Sequence, residues 1–268
     1  MSKSMKRYLN RFLLGFAVML FGSIALCGEA DAEPVLTARI FINDHYRPGE
    51  GLPIGKIQSV QYGVFIIHAD QHEGYRAQAG LPVYKGDILV TNRRGRALGR
   101  LNDGSIFRLG STSRVAVLRS SYHTAEKVSD ALILLDIGLA RFQLKGFAGF
   151  RSREFTVRSP VAEIIAKEGD FIVRSSPEHT DVTAVVNCRL EVSGRESPES
   201  ITDLSQYTRA VVEKGAFAAK IESMPAEDVE ALVSEVSLPP EDALLEAARN
   251  GYGSTAAVDE KSGDRGEY

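Results

Sequence analysis

The sequence predicts an all-β fold: many short antiparallel strands in a layered or solenoid-like β-sandwich, with a short helical, partly disordered C-terminal tail. Three observations carry this. From about Lys56 to Gly194, short runs rich in Val, Ile, Leu and Phe alternate with polar residues. Gly, Asp, Asn and Pro punctuate those runs at regular intervals. No stretch of helical period interrupts them until the composition changes at Pro225.

The chain opens with an export signal. Lys3, Lys6, Arg7 and Arg11 precede an apolar run from Phe12 to Leu26, with no acid before it. The run fits a signal core and is short for a membrane span, which needs about 20 apolar residues. Ala30-Asp31-Ala32 supplies a small-x-small cleavage pattern, so residues 1–32 are read as a signal peptide cut after Ala32. Two rivals stay open: retention of the run as an anchor, and a lipoprotein at Cys27, against which stands the bulky Leu26. A periplasmic or other extracytoplasmic location follows, with no stable membrane span after cleavage. Residues 33–55 form a leader, with one strand and a Pro/Gly turn.

In the β domain, residues 56–194, strands are expected near 56–68, 87–91, 95–102, 105–109, 113–119, 131–136, 139–144, 153–158, 161–166, 170–175, 182–187 and 189–193. Asp103-Gly104 is a hairpin signal, with both central residues expected at positive φ. Gly138 separates two strands, Ser159-Pro160 separates two more, and Asn187 stands where a glycine-like turn is expected. Residues 195–224 read as a β-rich extension. In the acidic tail, residues 225–268, Val229, Leu232, Val233 and Val236 fall near helical spacing after the acids Glu227 and Asp228. Pro239-Pro240 stops that helix, and a second short one is expected over 241–250.

Composition excludes several classes. The 268 residues carry a net charge of −3, and 225–268 alone hold 11 acids against three bases. That leaves the β region near neutral, which excludes a nucleic-acid binder. Signal cleavage removes Cys27, so Cys188 has no intrachain disulfide partner and reads as a small buried hydrophobe. His68 and His72 are the nearest pair of histidines, but without a Glu in a metalloprotease position they read as solvated loop residues. No nucleophile elbow or phosphate-binding glycine loop occurs. The expectation is therefore no enzyme, no catalytic residue, no metal and no cofactor.

Arginines are the remaining chemistry. Seven fall between Arg93 and Arg119. Arg96 and Arg100 share one strand face, and with Arg108 and Arg114 they form a candidate partner-binding face. The bland alternative is that these are outward strand positions that blunt sheet edges. Val229, Leu232, Val233 and Val236 form a candidate docking helix, and the acidic tail either folds back on the arginine face or meets a partner.

Residues 56–194 resemble the FecR domain, an extracytoplasmic module. The resemblance rests on Gly86-Asp87, Asp103-Gly104-Ser105, LILLDIGLARFQL, EFTVRSPVAEIIAKEGDFIV and TAVVNCRLEVSG, in the family's order. Ser159 replaces the usual Thr before Pro160, Glu168-Gly169-Asp170 stands for Arg-Gly-Thr, and Asn187 takes a turn glycine. Full-length iron regulators of this kind carry a cytoplasmic anti-sigma region, for which the eleven residues before the apolar run leave no room, so that activity is not carried over. The resemblance implies a non-catalytic periplasmic interaction or signalling module working with a protein partner, for example a membrane sensor. The alternative is an envelope protein that binds peptidoglycan or another polysaccharide. Against that alternative, the chain has no Trp and no wall-binding repeat.

Overall fold

A computed structural model of the protein describes residues 41–69, 73–144 and 151–238. The signal segment, residues 33–40 of the leader, His72 and the helix expected over 241–250 lie outside these residues. The described chain runs through β1 (Phe41–Asn43), β2 (Gly55–Gln61), β3 (Val64–Ile67), β4 (Glu73–Arg76), β5 (Pro82–Val83), β6 (Asp87–Thr91), β7 (Arg96–Leu101) and β8 (Ile106–Leu109). It continues with β9 (Arg114–His123), β10 (Val128–Leu144), β11 (Ser152–Arg158), β12 (Ala162–Ser175), β13 (His179–Gly194), β14 (Ser197–Leu204), β15 (Thr208–Glu213), β16 (Lys220–Ser223) and the helix α1 (Ala226–Val236).

Backbone pairing divides these strands into two layers. The first runs β5-β2-β7-β8, then the C-terminal half of β10, the C-terminal half of β12, the N-terminal half of β13, β15 and β16. The second runs β1-β4-β3-β6-β9, then the N-terminal half of β10, β11, the N-terminal half of β12, the C-terminal half of β13 and β14. Three long strands therefore belong to both layers. The β1–β4 and β10–β11 pairings are parallel.

The sharing explains where the expected strands differ from those observed. Gly138, Gly169 and Asn187 were expected to end strands, but they bend β10, β12 and β13 instead. Each has positive φ, at 105°, 122° and 48°. At Gly138, β10 leaves β9 and takes up β8. A Cβ there would lie 2.5 Å from Ser113 Cα, so only glycine fits both the dihedral and the space. Asn is one of the few other residues that tolerates the left-handed region. The strand expected over 56–68 divides into β2 and β3 for the same reason: Tyr62 takes φ 57° and the chain passes between layers. At Asp103-Gly104 only Gly104 has positive φ, at 82°. Gly104 N–H donates to Leu101 O at 2.9 Å, giving a three-residue loop with a left-handed glycine rather than a two-residue turn.

One apolar core lies between the layers. Phe107, Phe142, Phe155 and Phe171 are each at most 1% exposed. Phe142 sits at the centre, with ring centroids 5.5 Å from Phe155 and 5.3 Å from Phe171, normal spacings for offset or tilted aromatic pairs. A smaller cluster forms on the outer side of the first layer. There Leu139, Ile172 and Val185 meet Val229 and Val236 of α1, with Met224, Leu232 and Val233 at its margin. The helix starts after Pro225, carries Glu227 and Asp228 in its first turn, and ends before Pro239 as its residue types require.

Candidate interaction surface

The polar hallmark residues are consumed in holding the fold. Asp87, in the turn that opens β6, accepts the Tyr84 N–H at 2.7 Å and pairs through its other oxygen with His68 Nδ1 at 2.8 Å. Both side chains are fully buried. His68 is thus not the solvated loop residue its sequence context suggested. The segment around Gly49 passes over it, and a Cβ on Gly49 would lie 3.0 Å from the His68 ring. Tyr46 and Tyr84 meet that ring edge-on at 5.6 and 5.3 Å. Burial, then the neighbouring Tyr84 and Asp87, push the Tyr46 hydroxyl well above the ordinary tyrosine range.

Asp103 ties the layers together. Its carboxylate accepts the Ser105 N–H at 2.9 Å, the Ser105 hydroxyl at 2.7 Å and the Ser129 hydroxyl at 3.1 Å. Arg153 on β11 donates to Asp103 at 3.2 Å and to the Ser105 hydroxyl at 2.7 Å. Asp103 and Ser105 belong to the β7–β8 turn of the first layer, while Ser129 and Arg153 belong to the second. Ser159 plays a smaller version of this part. Its hydroxyl accepts the Ala162 N–H at 2.8 Å and the Thr180 hydroxyl at 2.8 Å, a task a Thr hydroxyl performs equally well.

The outer face of the first layer is different. Strand register lays out three rows across it. One row is Leu98, Arg108, Arg141, Ile172, Thr183 and Arg209. A second is Lys56, Arg100, Ile106, Gln143 and Asp170. A third is Leu139, Arg174, Asp181 and Val211. Arg141 grips Asp170 with two hydrogen bonds, at 2.7 and 2.6 Å, and Gln143 donates to the same carboxylate at 2.7 Å. Arg108 donates to Gln143 Oε1. Burial, and then the Arg141 charge, lower the pKa of Arg108.

Helix α1 covers one end of this face. Arg96 Nε donates to the Glu235 carbonyl at 2.9 Å, and Arg174 pairs with the Glu235 carboxylate at 2.8 Å. Arg209 pairs with Asp181 at 2.8 Å beneath the helix. A groove of about 420 Å³ remains between helix and sheet, lined by Leu139, Arg174, Arg209, Met224 and Leu232 among others.

The candidate residues therefore have distinct placements. Arg96, Arg100 and Arg108 do share one face. Arg114 lies on the outer face of the second layer, where it pairs with Asp136 at 3.3 Å. Val229 and Val236 are 2% and 0% exposed, with Leu232 and Val233 half-buried, so this helix docks on its own sheet. Cys188 is half-buried. Its thiol donates to the Asp170 carbonyl at 2.8 Å, and burial raises its pKa. Sequence reasoning did not single out Lys56, Arg141, Arg174, Asp181 or Arg209, although each is a polar position of an alternating strand, and it reads Asp170 as a turn residue, whereas Asp170 lies within β12 and accepts from Arg141 and Gln143.

Charge compensation is uneven. Arg96, Arg141, Arg174 and Arg209 have acceptors on this face. Lys56, Arg100 and Arg108 have no carboxylate partner among the described residues. Arg100 Nε is buried without a hydrogen-bond acceptor. Lys56 is exposed directly across from it. Among the described residues no helix is long and apolar enough to cross a membrane, and no group of three or more His, Cys, Asp or Glu converges to hold a metal.

Two solved structures, each of a candidate anti-sigma factor from Parabacteroides distasonis ATCC 8503, are similar at 18% and 17% identity, with TM-scores of 0.44 and 0.43. The chain spans 63% of the first and 74% of the second, using 55% and 62% of its own length. No curated protein matches it. Residues 87–187 match a family model described as FecR protein. The match opens on the buried Asp87 and closes on the bend at Asn187, so this stretch of the chain is similar to a FecR domain.

Proposed function

We propose that the protein is an exported, non-catalytic FecR-type signalling module that works by contact with a protein partner, a membrane sensor or signalling protein. The FecR match supports the regulatory class. The observation that carries the contact is the cationic strip Lys56, Arg100 and Arg108. Asp87, Asp103 and Ser105 are spent on the fold, whereas no carboxylate among the described residues forms an ion pair with this strip. A half-desolvated arginine without an acceptor costs stability, and a matching carboxylate from a partner removes that cost. Export through residues 1–32 would place the strip outside the cytoplasm.

The test is photo-crosslinking in cells from position 106, beside Arg100, and from position 201, a 59% exposed site on β14. A membrane-protein adduct from position 106 that is absent from position 201 is expected. Retention on purified cell wall with no protein adduct would overturn the reading in favour of a polysaccharide binder.

A further inference from the structure

We infer that β16 is a self-association edge, on which a second copy of this chain adds its own β16 antiparallel about a two-fold axis through Ile221. Three observations lead there. The first is that this edge is open where the other ends of the layers are closed. The layers end at β5, β16, β1 and β14. β5 and β1 have only two and three residues, and β5 begins with Pro82. β14 carries Pro198, Glu199 and Asp203, a proline and two acids that blunt pairing. β16 has neither a proline nor an excess of one charge. Its Ile221 is 53% exposed, and Phe217, in the turn before it, is 70% exposed.

The second observation is the direction of the backbone groups. Just past β15, Lys214 N–H donates to Glu178 O at 2.9 Å, so the even-numbered residues of that strand face β13 and the odd-numbered ones face β16. Register then turns the backbone of Lys220 and Glu222 toward β15, opposite Val211 and Arg209. Met224 N–H, which donates to Tyr207 O at 2.9 Å, continues that ladder. The N–H and C=O of Ile221 and Ser223 therefore point away from β15. No strand among the described residues takes them.

The third observation says what does. Lys220, Ile221 and Glu222 read cation, apolar, anion, a pattern that complements itself when reversed. Two copies centred on Ile221 exchange both backbone hydrogen bonds at that residue and set Lys220 opposite Glu222 twice. Opposite charges across a strand pair favour the pairing and like charges oppose it. An in-register parallel copy would instead set lysine beside lysine. Within one chain Lys220 and Glu222 meet at 2.6 Å, so the edge holds no net charge that would repel a copy. The result is a closed, isologous pair rather than an open fibre. Four strands, β10, β12, β13 and β15, separate β8 from β16, so the cationic strip lies at the far end of the same layer. A dimer carries two such strips and meets a paired partner bivalently.

The test is sedimentation velocity of the full chain from about 10 µM to about 1 mM, the range in which interfaces under about 1,200 Å² associate. The dimer fraction is expected to rise with concentration. Lys220→Glu and Glu222→Lys each set like charges opposite one another twice, and each is expected to weaken the dimer roughly tenfold. An equal mixture of the two variants is expected to recover the dimer as a heterodimer, and the swap K220E/E222K to restore the homodimer. Melting curves should stay unchanged throughout, since the two side chains are 77% and 38% exposed. A monomer at every concentration, a dimer indifferent to the reversals, a mixture that stays monomeric, or a swap that restores nothing would each overturn the inference. The dimer does not depend on the partner reading: its loss leaves the in-cell adduct from position 106 standing, and loss of that adduct leaves the dimer.

Discussion

Asp103→Ala is the sharpest probe of how the layers are joined. The Asp103 carboxylate takes four hydrogen bonds from Ser105, Ser129 and Arg153, and it is 3% exposed as a residue. The Arg153 side chain facing it is 7% exposed. Burial already lowers the pKa of Arg153, and the Asp103 charge and hydrogen bond are the main opposing influences. Removing one partner of a buried ion pair costs roughly 3–5 kcal/mol. The Glu168 charge also favours the guanidinium, so the low end applies, about 3 kcal/mol. For a domain of this size that lowers Tm by about 6–12 °C. Urea unfolding followed by circular dichroism measures it. The double variant Asp103→Ala/Arg153→Met removes the stranded charge and should recover about 1–3 kcal/mol relative to the sum of the single losses. An Asp103→Ala cost under about 1 kcal/mol, or strict additivity in the double variant, would refute the pin.

Three further outcomes follow from other parts of the fold. Gly138→Ala forces an L side chain to φ 105° and against Ser113, and should destabilise by roughly 3 kcal/mol in urea unfolding, the sum of backbone strain and overpacking. Val236→Ala removes a fully buried side chain from under the helix and should cost about 1–2 kcal/mol; hydrogen exchange should speed at α1 amides while the β10 amides stay protected. The Cys188 thiol should react with Ellman's reagent with a midpoint above the ordinary value of 9.0, because burial raises its folded pKa. The sign for stability is the same: what the neutral thiol contributes is present below pH 9.0 and is lost as pH rises through the higher folded value. A reaction midpoint below 9.0 would refute it.

Much of the fold was legible in the sequence, since alternation marks half-buried strands directly. The strands around Leu98, Phe107, Val115 and Phe155 stand where their patterns put them. Legibility failed at the bends. Gly138, Gly169 and Asn187 carry turn chemistry, and a left-handed residue looks the same in sequence whether the chain reverses or merely crosses to the other layer. Which outcome occurs depends on partners far away, such as Ser113 packed against Gly138. β4 and β5 were missed because β4, Glu-Gly-Tyr-Arg, has a single large apolar residue and no alternation, and β5 has only two residues. The burial of His68 was invisible because both its partner, Asp87, and its cover, near Gly49, are about 19 residues distant. On the surface, strand parity places Arg96 and Arg100 together, and Arg108 stands on the same face through its pairing with Leu98. Arg114 does not, because parity fixes the face within a strand but says nothing about which layer that strand joins. The internal acceptors Asp170, Asp181 and Glu235 come from later strands and the helix, so the sequence could not tell answered arginines from unanswered ones.

The most direct test of the central claim, that the Lys56–Arg100 strip serves contact rather than folding, is the charge-reversed variant K56E/R100E measured in two ways at once. Exposed and half-exposed charges on a sheet face are worth at most about 1 kcal/mol to the fold. The predicted result is a urea midpoint within that margin of the parent, together with loss of the in-cell adduct formed from position 106. An unchanged adduct, or a fold lost along with it, would contradict the account.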